Sequence, residues 1–335
     1  MAHGIMNNDN FGYHGNKAWH GLGMQLPETA KTAIEGFEAL GLDWEDQLRP
    51  VMARMEDGTM VECTGNKAHV RVDTGDVLGI VSEGYKSVSN IDLANYCDSL
   101  VAGTGAKIET AGSLFNGKRI FVAMRLPKTI VANRGDEVLP FLIASNGHGG
   151  CASLSTYLSS VRPVCNNTLT MSEKDLATGV RIYHTGDISK KMDQARKIMD
   201  LASREADRFA EQVTALSNTD LSKDQIQFFM EKAFAITYGP EPKGHEQDLR
   251  DKYIEKRRKM LLDWMSRLEN EKQTQFGGAG TAWAALNAYT EWSDHARGGN
   301  WIDNRGPDAR VHSNMWGVAA VAKRKVFSQA LSLIG

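Results

Sequence analysis

The feature that most constrains this chain is a change of hydrophobic period along its length. Between residues 51 and 161, apolar and polar residues alternate in short runs separated by turn dipeptides. From residue 192 the apolar positions recur every three or four residues. A period of two fits a pleated strand with one buried face, whereas three-four spacing fits one stripe of a helix. The runs 51–55 and 59–63 flank Asp57-Gly58, the runs 68–73 and 77–82 flank Thr74-Gly75, and 114–115 and 118–126 flank Asn116-Gly117. Such dipeptides take the positive φ angles that tight hairpins need. Residues 138–145 and 152–161 are further strand candidates. Helices are expected at 29–40 and at 90–101, the second with Asn90 placed to cap it.

In the later region Met192, Ala195, Met199, Ala202, Ala206, Phe209, Val213 and Leu216 follow the a/d spacing of a heptad. A partner stripe, Ile254, Leu261, Met265 and Leu268, lies beyond the break at Tyr238-Gly239-Pro240-Glu241-Pro242. Packing of one stripe on the other is the simplest arrangement, and the 192–216 helix is also the candidate homo-oligomer contact. Helices are expected again at 281–296 and 315–334. The predicted fold class is α+β: an antiparallel, β-rich N-terminal half with helices, then a helical arm, then C-terminal helices. The expected units are a β-rich core over 1–175, a helical hairpin or arm over 176–275, and a C-terminal helical segment over 276–335 packing on the core.

The 335 residues suffice for a substantial core. A formal net charge of −2 excludes a wholly basic, histone-like binder but leaves room for a local basic groove. No apolar run approaches the roughly 18 residues of a membrane span, and the first ten residues carry no secretory pattern. A cytoplasmic protein that does not engage a membrane is expected. Cys63, Cys97, Cys151 and Cys165 show no Cys-x-x-Cys spacing, so free buried thiols are expected, with no cofactor and no metal.

Three places carry candidate chemistry. The turn Ser145-Asn146-Gly147-His148-Gly149-Gly150 has the glycines of a phosphate nest but not the lysine or spacing of a P-loop. Downstream, Val161-Arg162-Pro163-Val164-Cys165-Asn166-Asn167-Thr168-Leu169 reads as a strand-to-helix junction with capping residues. Cys165 there and His148 upstream are the candidate nucleophile pair. The third place is the strand over 118–126. Alternation sets Ile120, Val122, Met124 and Leu126 on one face and Arg119, Phe121, Ala123 and Arg125 on the other. A basic and aromatic sheet face suits single-stranded nucleic acid, with arginines on phosphates and a ring under a base. Lys118, Arg119, Phe121, Arg125, Lys128 and Arg162 are therefore the candidate nucleic-acid-binding residues; the plain alternative is a solvated face. Glu291, Asp294 and His295 cluster on one helix but would need a further ligand to hold a metal. A hydrogen-bonded helix end is the expectation there.

Five motifs occur in order: Ala18-Trp19-His20-Gly21-Leu22-Gly23, Gly84-Tyr85-Lys86-Ser87-Val88, Asn146-Gly147-His148-Gly149, the 161–169 segment, and Thr281-Ala282-Trp283 through Asn287-Ala288 to Asp294-His295. Together they resemble the phage/plasmid-like protein family, domain of unknown function 932. The resemblance runs from Trp19 to His295. It implies a role in mobile-element DNA metabolism or host conflict and supplies no reaction. The family commonly has an Asp after the central histidine, where this chain has Gly149, so any chemistry of that acid would be missing here. The leading expectation is binding of single-stranded DNA in recombination or annealing. The alternatives are a nucleotide- or nucleic-acid-directed enzyme using His148, Arg162 and Cys165, and a protein-binding inhibitor of a host defence system that uses the heptad arm.

Overall fold

The computed structural model describes residues 11–14, 23–132, 135–162, 167–170, 179–197, 199–242, 247–274, 280–297 and 312–334. Strands β1 (Phe11–Tyr13) and β2 (Met24–Gln25) pair in parallel and lead to helix α1 (Ala33–Leu40). Thr32 starts α1 by accepting the Glu35 amide at 3.2 Å, and Glu35 returns the bond by accepting the Thr32 amide at 2.9 Å. This reciprocal cap satisfies two otherwise orphaned donors. Strands β3 (Asp46–Arg54), β4 (Met60–Arg71) and β5 (Val77–Ser82) form a separate antiparallel sheet. Gly58 turns the β3–β4 hairpin at φ 86°. The runs expected at 59–63 and 68–73 are one continuous strand, β4.

Helix α2 (Asn90–Thr104) is capped by Ser89 with Asp92, not by Asn90 as expected. The Asn90 side chain instead donates to the Leu42 carbonyl at 2.7 Å. Strands β6 (Lys107–Leu114) and β7 (Arg119–Arg125) meet at Phe115, Asn116 and Gly117, all with positive φ. Strands β8 (Ile130–Val131), β9 (Glu137–Gly147), β10 (Leu154–Arg162), β11 (Asn167–Thr170) and β12 (Gly179–Ile182) complete the main sheet. Its order is β11–β10–β9–β7–β6–β1–β2, with β8 on β9. β12 pairs with the first half of β10 and β11 with the second.

The helices follow: α3 (Ile188–Lys197), α4 (Met199–Asn218), α5 (Lys223–Tyr238), α6 (Gln247–Leu268), α7 (Glu271–Thr274), α8 (Ala282–Glu291), a π-helical turn (Trp292–Ala296), and α9 (Val318–Leu331). The fold is thus α+β, antiparallel-rich first and helical afterwards. Of the heptad positions, Met192, Ala206, Phe209, Val213 and Leu216 are buried within the chain's own core. The side chains of Ala195, Met199 and Ala202 lie outside the described residues. Of the stripe read on α6, Leu268 is buried and Leu261 and Met265 pack on the core, but Ile254 is exposed and the buried face is centred toward Met260 and Trp264. Trp264 sets that phase, and α6 packs on α8 and α5.

One apolar core joins sheet and helices, with Val122, Met124, Leu142 and Leu158 in the same cluster as Phe209, Phe229, Trp264 and Phe327. The segment read as an arm is therefore built into that core. A smaller cluster lies on the opposite sheet face, where Phe121, Phe141 and Ile143 meet Phe11 and Met315.

Candidate functional site

The alternation of β7 places its side chains as the sequence reading expects. Ile120, Val122 and Met124 enter the main core, and Arg119, Phe121, Ala123 and Arg125 take the other face. That face, however, is covered. Phe121 is fully buried between Phe11, 6.0 Å away, and Trp316, 5.8 Å away. It cannot slide under a base, and the expectation that it forms an open stacking platform is corrected. Its cover comes from Phe11, about a hundred positions earlier, and Trp316, almost two hundred positions later, which alternation within one strand cannot reveal.

The other candidates separate. Arg125 lies 3.5 Å from Glu109, and Lys128 pairs with Asp207 across the surface. Lys118 is exposed, and its carbonyl accepts the His148 amide. The Arg162 side chain and Cys165 lie outside the described residues. His148 is fully buried.

What remains open on this face is a cleft of about 440 Å³, lined by Arg119, Tyr157, Arg181, Tyr183, His312 and Arg324 among others. Register explains the convergence. Arg181 on β12 stands opposite Ser155 on β10, Ser155 opposite Ser145 on β9, and Ser145 opposite Phe121 on β7, two residues along the strand from the cleft's Arg119 and on the same face. The Arg119 guanidinium stacks over Trp316 at 4.6 Å. Only 7% of Arg119 is exposed, and its Nη1 is buried without a hydrogen-bond partner. Burial, with Arg181 nearby, pulls its pKa below the usual arginine value. No carboxylate is among the described residues lining the cleft. His312 is pushed down to about 4 by burial and by Arg119, so it is neutral near pH 7. Tyr157 is held in place by donating to the Met315 carbonyl at 3.2 Å.

A second constellation lies where the small sheet meets the main one. Asp46 opens β3 and His69 sits near the end of β4, and their side chains meet at 2.7 Å, Oδ2 to Nε2. Ser87, in the loop before α2, donates to the same Asp46 oxygen at 2.5 Å. The Gly149 amide donates to His69 Nδ1 at 2.9 Å. An amide donating to Nδ1 leaves the ring proton of neutral His69 on Nε2, facing Asp46. The His148 ring stands 5.2 Å from the His69 ring, and its Nε2 lies 2.8 Å from Asn90 Oδ1. Asn90 uses its amide nitrogen on Leu42, so Oδ1 accepts and His148 Nε2 carries the proton. His148 Nδ1 is then a bare lone pair, buried and without a partner.

Burial works to raise the Asp46 pKa, but hydrogen bonds from His69 and Ser87 outweigh it and hold the carboxyl below its ordinary range. Burial drives His148 down to about 3. His184 donates through Nδ1 to the Lys86 carbonyl at 3.0 Å and stacks on Tyr85 at 4.8 Å.

This cluster was only half legible in the sequence. Asp46 and His69 carried no flag, being single polar residues in strands. Two of the five ordered motifs nevertheless converge on it: Tyr85 donates to the Gly147 carbonyl at 3.4 Å, and Asn146 donates to the Val88 carbonyl at 2.9 Å. The phosphate-nest reading of the glycine turn is not supported, because the amides of His148, Gly149 and Cys151 already have protein acceptors. Nor are the acids near His295 available to a metal. Glu291 accepts from Arg267, Asn270 and Gln273, and Asp294 pairs with the buried Lys323 at 2.5 Å. Among the described residues no helix is long and apolar enough to cross a membrane.

A family model described as a domain of unknown function, DUF932, matches residues 77–325. The matched span holds the whole arginine cleft together with Ser87, Asn90 and His148, while Asp46 and His69 precede it. Neither curated proteins nor solved structures show a match to the chain.

Proposed function

The chain belongs to the DUF932 family, whose description assigns no activity, and we propose from its own site that it binds the phosphate backbone of single-stranded nucleic acid. The observation that carries this reading is Arg119, a buried guanidinium with an unpartnered nitrogen, opening on a cleft shared with Arg181 and Arg324 and free of described carboxylates. A buried cation without a counter-charge is costly, and an anionic ligand offsets that cost. The guanidinium fork matches phosphate oxygens. Tyr183, 63% exposed at the cleft, supplies the ring for a base that Phe121 cannot. The role in recombination or annealing expected from the mobile-element resemblance is compatible with such a surface.

Fluorescence anisotropy of a labelled single-stranded oligonucleotide across a salt series tests the reading. Binding should weaken with salt, and Arg181→Ala or Arg324→Ala should each lower the log–log slope by about 0.7. Tyr183→Ala should cost about 1–3 kcal/mol with the slope unchanged. Binding that ignores both arginines, or no binding at 50 mM salt, overturns it. A mononucleotide that competes equally well would shift the reading to a free nucleotide in the same cleft.

A further inference from the structure

We propose that Asp46, His69 and His148 together hold a divalent transition-metal ion of the zinc class, which fastens the small sheet to the main one. One ligand atom from each of the three residues lies within 4.8 Å of the others. An imidazole–imidazole–carboxylate donor set suits zinc and its neighbours in the first transition row. The three residues come from β3, from β4 and from the turn after β9, so the ion would bridge the two sheets at their junction.

The polar balance of the site is what asks for a cation. Asp46 is 4% exposed at its side chain and His69 not at all. Among the described residues no lysine or arginine pairs with Asp46; the nearby Arg71 is engaged by Asp73 and by the Trp44 ring. The carboxylate has only neutral donors, His69 and Ser87. Beside it stands a buried acceptor without a partner, His148 Nδ1. A buried anion beside a bare acceptor is an arrangement that a cation satisfies and a further hydrogen-bond acceptor does not.

The second layer is also in place. Asn90 holds the proton on His148 Nε2 and leaves Nδ1 free, as an outer partner of a metal-bound histidine does. Ser87 Oγ lies 3.3 Å from His69 Nε2, within the same cluster. Ligation through His69 Nε2 moves that ring's single proton to Nδ1, with no net release from a neutral ring. The Gly149 amide, which donates to Nδ1 in the metal-free arrangement, must then turn away. Gly149 and Gly150, both at positive φ, are the residues that allow such a change.

The test uses the whole chain, stripped with a chelator and titrated at pH 7.5 with Zn²⁺ and with Co²⁺. One equivalent should bind, the Co²⁺ form should show visible d–d absorption, and Zn²⁺ should raise the melting temperature. Asp46→Asn and His148→Gln, each near-isosteric, should weaken binding about 100-fold or more. His312→Gln, in the separate cleft, should leave it unchanged. If the variants fail to fold, the wild-type titration decides: no stoichiometric uptake and no thermal shift overturn the proposal. Uptake that survives both near-isosteric changes marks an adventitious ion elsewhere and overturns it equally. Oligonucleotide binding is read separately on Arg181 and Arg324, so the failure of one reading leaves the other standing.

Discussion

At the scale of single residues, the informative side chains are those whose environment contradicts their chemistry. Arg119 is a charge in a place that stability alone would fill with an apolar side chain. Removing an unpaired buried charge is often neutral or stabilising. Arg119→Met should therefore leave the urea midpoint unchanged or raise stability by about 1 kcal/mol, while weakening oligonucleotide binding. A loss of stability above about 2 kcal/mol would instead make Arg119 a packing residue. His312, in the same cleft, is depressed to about 4 by burial and by Arg119. A base whose folded pKa lies below its unfolded value near 6.5 contributes stability that is present above that value. That contribution is lost as pH falls from about 6.5 toward about 4, because the unfolded chain takes the proton first. Because His312 is partly open to solvent, it should account for only part of the acid slope. His312→Gln should flatten the denaturation midpoint against pH between those two values, and an unchanged slope would remove His312 from the account.

At the scale of elements, local rules were readable and long-range ones were not. The β3–β4 and β6–β7 hairpins were legible because Asp57-Gly58 and Asn116-Gly117 fix a turn within four residues, and Gly58 and Gly117 do take positive φ. The two faces of β7 were legible from alternation. What covers the second face was not, since Met315 and Trp316 arrive from the far end of the chain. The α6 stripe left out Met260 and Trp264 for a related reason: Trp264 is buried by partners distant in sequence, stacking edge-on against Tyr289 and Trp292. The junction between the sheets was hidden as well, because it depends on two glycines 70 positions apart. A Cβ on Gly79 would lie 2.3 Å from the Gly149 carbonyl oxygen, whereas one on Gly58 would meet open space. Gly79→Ala must push backbone from backbone and should cost about 2 kcal/mol. Gly58→Ala bears only the positive-φ penalty, about 1 kcal/mol. Chemical denaturation of the two variants side by side should rank them in that order. The reverse order would mean that the small sheet is not seated on the glycine turn.

At the scale of the molecule, the cleft belongs to no single segment. Arg119 comes from β7, Arg181 from β12, His312 and Trp316 from the segment before α9, and Arg324 from α9 itself. Helix α9 also carries Lys323, fully buried against Asp294, and packs on α5, α8 and β11. The same helix thus closes the common core on one side and lends an arginine to the cleft on the other. Helices α1 and α2 cover β6, β7 and β9, while α8 and α9 lie on β11, so the β-rich half owns only part of its apolar cover. A fragment of residues 1–175 retains Arg119 but loses Arg181, Arg324 and the Trp316 ring over the guanidinium. It also uncovers the core positions that Phe229, Trp283 and Phe327 help to bury. Such a fragment should bind a hydrophobic dye, lack dispersed amide resonances and show no salt-dependent oligonucleotide binding. The whole chain, by contrast, should unfold with coincident far-ultraviolet and tryptophan-fluorescence transitions, as one shared core requires. A well-folded fragment that binds oligonucleotide as the whole chain does would place the recognition surface within the first half alone, and the cleft closed by α9 would then not be where the nucleic acid sits.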